Sequence, residues 1–353
     1  MNKKLLLISN KVFHYRVPIY NHLNSRLQSI GYELVVLTNE LQKDNPHPPE
    51  FELLVQPFSF RGYKQAITRV SPAYVMLFLH IKDFIVWPLM AWMKFRQLQF
   101  IYWNHGVNLQ TPDSVFKNIF FRTFHAASDA IVLYSENEAK FVDEKYRDKT
   151  FFANNTLNFN SFPEIDDSPA KIKSELGISY NKVVLFVGRI IANKRLDDLL
   201  AAASLLESGT GIVIVGGGLN AEQARLIDHS TNISYLGEIY DGYQINRIFK
   251  MADVFCIPGS MGLGINQAFY WGLPAVTENV LHSPEIMYLK DGYSGFIVEK
   301  GNVQALAEKI NFLLSSDSTY AEFSVAAKSI VMEQGNIDVM CDGFVDAIDY
   351  LDS

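Results

Sequence analysis

Short apolar runs of strand length alternate with helix-period stretches along this 353-residue chain, and that rhythm restricts the fold more than any other feature. In the first half the runs fall at residues 5–9, 34–38, 52–55, 74–79, 100–103, 130–134 and 151–153. Between the first two, Tyr20, Leu23, Leu27 and Ile30 recur at helical spacing and Gly31 ends the helix. Around 158–168 the periodicity fails, and Pro163, Asp166, Asp167, Ser168 and Pro169 collect as in a linker. The rhythm restarts at 183–187, 211–215, 233–236, 254–257, 275–277 and 296–298. Strands joined through helices of about ten or more residues need right-handed crossovers and build parallel sheets. The expectation is an α/β chain with two Rossmann-like, doubly wound parallel-sheet domains facing a central cleft, at 1–165 and 166–336. The amphipathic segment 337–353 is expected to cross back and brace the first domain. Open sheets of this kind bind ligands at the carboxyl ends of their strands.

A net charge of -7 argues against a nucleic-acid partner, because affinity for a phosphate backbone needs clustered positive charge. Cys256 and Cys341 are far apart without metal-ligand spacing, and read as reduced thiols of a cytoplasmic protein. The opening run Leu5-Leu6-Leu7-Ile8 is too short for a signal peptide and reads as a buried strand. The most membrane-like stretch, 84–93, is roughly half the ~20 residues a spanning helix needs. It is either a buried helix or an amphipathic face resting on an anionic bilayer. Arg61, Tyr63, Lys64, Arg69, Lys82, Trp87 and Trp92 supply the basic and aromatic residues for such a peripheral contact.

Three stretches can carry chemistry. Phe186-Val187-Gly188-Arg189 leaves a strand, and Arg189 and Lys194 stand beside the following helix start, a trap for a diphosphate or an ordinary solvated end. Val215-Gly216-Gly217-Gly218 is a glycine turn outside the dinucleotide fingerprint, so a dehydrogenase is disfavoured. Residues 252–277 run strand, glycine-rich loop, short helix, strand; amides at Met261, Gly262, Leu263 and Gly264 would meet an anion, and Gln267 a hydroxyl pair.

These segments, in this order, resemble the retaining glycosyltransferases of family 4, which have the GT-B fold. The resemblance rests on Gly188, Arg189 and Lys194, the Val-Gly-Gly-Gly turn, Leu236-Gly237-Glu238-Ile239, Ala252-Asp253-Val254 and the block through Gly272-Leu273-Pro274. Pro284-Glu285-Ile286, Asp291-Gly292 and Gly295-Phe296-Ile297-Val298 complete it. It implies that Arg189 and Lys194 hold the donor diphosphate, with amides of Gly262 and Leu263 on the phosphate and Ile239 beside the base. The donor would be a UDP- or GDP-sugar, no other cofactor is implied, and the lack of an Asp-x-Asp motif predicts metal independence. The acceptor class implied is a glycan or lipid-linked glycan of bacterial surface polysaccharide. The family usually carries two glutamates in the loop and helix; Gly259 and Gln267 stand there instead.

The first half resembles the family less. Phe13-His14-Tyr15-Arg16 replaces a Gly-Gly loop, so Arg16 contacts the donor phosphate or is a solvated cap. Tyr102-Trp103-Asn104-His105-Gly106 matches the family's His-Gly segment, which places His105 by the donor sugar and acceptor, against a structural imidazole. A catalytically silent nucleotide-sugar-binding subunit is the alternative, suggested by Gly259 and Gln267.

Overall fold

Every strand-length run forms a strand. The computed structural model describes residues 2–41, 47–57, 59–78, 83–109 and 111–353. It divides into one unit of Met1–Asn158 with Asn336–Ser353, and a second of Phe159–Gly335.

The first unit contains β1 (Lys3–Val12), β2 (Tyr32–Leu41), β3 (Glu52–Val55), β4 (Tyr74–Phe78), β5 (Phe100–Trp103), β6 (Ala130–Leu133) and β7 (Thr150–Phe152). Leu79 and Lys82, which the sequence placed in a strand and a basic patch, lie outside the described residues. The order is β3-β2-β1-β4-β5-β6-β7, and every pairing is parallel. Successive side chains of a strand point to opposite faces, and a sheet covered on both sides tolerates no alternation with polar residues. Leu5, Leu7, Val36, Met76, Ile101 and Val132 therefore fill one core, and Leu6, Ile8, Val35, Leu77, Tyr102 and Ile131 the other. Helix Arg16–Gln28 covers the first face, and Ile30 falls beyond its end.

Helix Ile337–Asp352 covers that face too. Asn336 caps it by accepting from the Val339 amide, and Ile337, Met340, Cys341, Phe344, Ala347 and Ile348 form its buried stripe. Only glycine fits at 343, where a Cβ would sit 2.0 Å from the Phe152 carbonyl oxygen. The helix end is tied down at Asp352, which accepts from Lys3 Nζ (2.8 Å), Tyr32 Oη (2.9 Å) and Tyr74 Oη (2.7 Å).

The second unit contains β8 (Lys182–Val187), β9 (Thr210–Val215), β10 (Ile233–Tyr235), β11 (Val254–Cys256), β12 (Ala275–Glu278) and β13 (Gly295–Val298), again all parallel, in the order β10-β9-β8-β11-β12-β13. It begins at Phe159 rather than at 166, because Phe159 and Phe162 pack on Tyr270 with ring centroids 4.9 and 5.1 Å away. The chain leaves β8 toward β9 on one side and returns to β11 on the other, so β8 and β11 flank the switch point where open α/β sheets bind ligands.

Candidate functional site

The loops after β8 and β11 meet at that switch point. Gly259 N–H donates to the Lys194 carbonyl (3.0 Å) and Ser260 N–H to the Asn193 carbonyl (2.8 Å). A Cβ on Gly259 would stand 2.0 Å from Asn193 O, so main chain fills the space a side chain at 259 would need. Lys194 Nζ closes the same junction by donating to Ser260 O. Burial pushes the Lys194 ammonium below the usual lysine range; Glu285 opposes that shift and Arg189 adds to it. Arg189 is exposed and makes no ion pair with any described residue.

The glycines hold this edge together. Gly188 N–H donates to Val215 O (3.0 Å) and Gly216 N–H to Gly237 O (2.8 Å). Gly216 has φ +140°, and a Cβ there would lie 1.9 Å from Gly188 O, so the β8 and β9 loops touch only because residue 216 lacks a side chain. Ile239 follows in the irregular stretch after β10 and is half-buried.

Met261 is fully buried, and helix Gly264–Tyr270 starts three residues on. The amides of Gly262, Leu263 and Gly264 donate to no acceptor among the described residues. Free amides near a cation are the kind of group that attracts an anion. Gln267 Nε2 donates to Asn246 Oδ1 (3.1 Å), which also accepts from Trp271 Nε1 (2.8 Å). The Gln267 side chain is thus oriented from within the unit, with its carbonyl oxygen left as an acceptor.

Two groups here carry no sequence signal of their own. Arg195, left-handed at φ 53°, donates from Nε to Glu278 Oε2 (2.7 Å) and pairs with Asp198 (2.7 Å). Glu278 is wholly buried and also accepts from the Gly301 amide (2.9 Å). This pair fixes the backbone next to Lys194. His282 is the second: it bridges Met261 N–H (3.1 Å to Nδ1) and Glu278 O (2.9 Å from Nε2).

In the first unit, His105 Nδ1 lies 2.9 Å from Glu138 Oε1, and Glu138 Oε2 accepts from the Tyr134 amide (3.1 Å). A carboxylate partner puts the proton on Nδ1 and leaves Nε2 as an acceptor. The imidazole packs on Tyr134 at 4.6 Å and keeps 33% of its side chain exposed. Arg16 is no solvated cap: it is 6% exposed, with its guanidinium over Tyr15, Phe78 and Trp103 at 5.5, 5.3 and 5.4 Å. Burial is the largest influence on its charge and works against it, while Tyr134, Tyr20 and Tyr15 oppose that effect. Among the described residues Nη1 has no hydrogen-bond partner, and neither do Trp103 Nε1 and Ser135 Oγ. Buried donors without an acceptor call for one from outside.

Among the described residues no three His, Cys, Asp or Glu groups cluster as a metal site, and no helix is long and apolar enough to cross a membrane.

Residues 168–330 match a family model described as glycosyl transferases group 1. The chain is 24% identical over 237 residues to alpha-maltose-1-phosphate synthase of Mycolicibacterium smegmatis, covering 60% of this chain and 61% of that protein. It is 26% identical over 180 residues to the capsular polysaccharide biosynthesis glycosyltransferase CapM of Staphylococcus aureus, covering 48% and 46%. The matched segments thus span less than two thirds of these relatives' own length. Among solved structures, Anabaena HepE in complex with UDP superposes with a TM-score of 0.77 at 14% identity, over 98% of this chain and 99% of that one. That likeness establishes a shared fold.

Proposed function

We propose that this chain, whose residues 168–330 match the family model of glycosyl transferases group 1, moves a sugar from a nucleoside-diphosphate-sugar to a glycan or lipid-linked glycan, retaining the anomeric configuration. The reading is carried by the junction of Lys194 with the β11 loop, where Lys194, with Arg189 near enough to act on its charge, meets a loop whose amides at 262–264 have no acceptor among the described residues. Lys194, Arg189 and the amides of Gly262 and Leu263 hold the diphosphate. Ile239 lies by the base, and Gln267 offers its carbonyl to the ribose. As the bond from C1 to the phosphate oxygen breaks, the acceptor hydroxyl oxygen bonds to C1 on the same face and its proton passes to the departing phosphate. Catalysis is then alignment plus stabilisation of the leaving charge, with no carboxylate nucleophile and no divalent cation. In the first unit, His105 Nε2 receives a sugar hydroxyl and Arg16 a substrate oxyanion.

The relative named for capsular polysaccharide synthesis supports a surface-glycan acceptor, and the UDP complex of HepE supports a uridine donor. A panel of nucleotides and nucleotide-sugars tests this by thermal unfolding. At about a hundred times its Kd the correct nucleotide should add ~2.7 kcal/mol of stability. If neither UDP, GDP nor their sugars move the transition, the proposal fails. A second reading, a silent donor-binding subunit, draws on the main chain that fills the space beside Gly259; donor binding without hydrolysis or transfer would favour it.

We further propose that the first unit rests on anionic lipid. Arg61, Lys64, Gln65, Thr68 and Arg69 line one face of helix Phe60–Val70, and Lys64 Nζ lies over the Trp92 ring at 5.6 Å. In the same unit, Phe84, Phe95 and Phe116 are 88%, 85% and 89% exposed. A basic helix face together with exposed aromatics is the composition expected of an interfacial surface. The protein should float with phosphatidylserine vesicles at low salt, and Lys64→Glu with Arg69→Glu should return it to the soluble fraction. Equal recovery of both proteins would exclude this surface.

A further inference from the structure

The loop bearing the unsatisfied amides of Gly262, Leu263 and Gly264 is held at its entry through both backbone groups of Met261. Met261 N–H donates to His282 Nδ1 at 3.1 Å, and Ser283 N–H donates to Met261 O at 3.1 Å. On its other side the His282 ring meets Glu278 O, 2.9 Å from Nε2. A carbonyl only accepts, so Nε2 carries the proton; a peptide N–H only donates, so Nδ1 is bare. Both ring nitrogens are therefore committed to main chain, and neither can take a ligand without releasing a backbone group. We infer that His282 is a positioning residue whose neutral Nε2–H tautomer sets the Met261 peptide and, through it, the aim of the following amides at the diphosphate of a bound nucleotide.

The inference rests on the nucleotide reading above, and names what holds the phosphate loop in shape. Three further observations support it. Met261 is fully buried, so no water replaces a lost acceptor at its N–H. Burial and the nearby Lys194 ammonium both push the imidazole toward its neutral form, although the bond to the Glu278 carbonyl pulls the other way. Glu278 Oε2 is itself held by Arg195 and the Gly301 amide, so the ring hangs from a fixed strand end.

Two substitutions separate the two ring nitrogens. In His282→Asn the amide oxygen takes the place of Nδ1 and can still accept from Met261. In His282→Gln the amide nitrogen takes the place of Nε2, and Met261 N–H loses its acceptor. We expect His282→Gln to weaken binding of UDP, or of GDP if that is the nucleotide bound, by about tenfold, an effect of the size an unsatisfied buried donor produces. His282→Asn should stay within about threefold of the parent by the same scale. Uridine or guanosine, which lack phosphate, should bind all three proteins alike in calorimetry. Equal diphosphate binding by folded His282→Gln and the parent would overturn the inference, and so would parallel losses for diphosphate and nucleoside. Should His282→Gln not fold, ¹⁵N NMR of the parent decides the matter, since a proton on Nδ1 of His282 contradicts it and a proton on Nε2 supports it. A parent that binds neither UDP nor GDP would instead remove the nucleotide reading beneath it.

Discussion

Arg189→Ala combined with Lys194→Ala should abolish measurable transfer while the protein still unfolds in one cooperative transition. Removing a single preorganised donor to a developing oxyanion typically costs about 10²–10³ in rate, so losing two cations from one diphosphate site should exceed that. Lys194 is expected to contribute more, because it is partly buried and its Nζ already points into the loop junction at Ser260. Its lowered pKa adds a second, separable signature. The ammonium is present below that pKa and lost above it, so the alkaline limb of kcat/KM should fall below the ordinary lysine range. Lys194→Arg should move that limb upward. Donor hydrolysis measured by release of nucleoside diphosphate reads both effects without knowledge of the acceptor. Full turnover in the double variant would refute the assignment.

Arg16→Met should make the protein more stable and less able to bind its substrate oxyanion. A buried charge without a carboxylate partner has been taken from water at a cost of several kcal/mol, and replacement of buried ionic groups by apolar ones of similar volume is often stabilising by about 1–4 kcal/mol. Three aromatic faces recover part of that cost at Arg16, but a thioether can occupy the same faces. Urea unfolding should show a higher midpoint with an unchanged slope, while kcat/KM falls. A less stable variant would mean that the guanidinium is satisfied within the chain, and the oxyanion contact would have to be withdrawn.

The strands were legible because their apolar runs are continuous, as burial on two faces demands; Leu5 to Ile8 serve two different cores. The boundary between the units was less so. The linker-like cluster near Pro163 marks polar composition, whereas the unit begins where Phe159 meets Tyr270, a contact between residues far apart in sequence. Arg189 and Lys194 could be read from their place after a strand. Their supports could not: Glu278, His282 and Glu138 act through pairings with Arg195, Met261 and His105, and no local pattern announces a partner that distant. Gly259 gave a different lesson. An absent side chain looks like a lost function in the sequence, whereas in the structure the space is taken by the Asn193 carbonyl.

The helix Ile337–Asp352 has a bearing on how the molecule is made. The first sheet is translated early, yet one of its faces, partly covered by helix Arg16–Gln28, is completed only when residues 336–353 emerge from the ribosome, while the second unit is contiguous and can close on its own. Nascent chains therefore pass through a stage in which a completed second unit trails a half-clad sheet, with Trp103 and its neighbours awaiting Phe344. Chaperone engagement during synthesis should concentrate on that interval, and end when Asp352 reaches Lys3, Tyr32 and Tyr74.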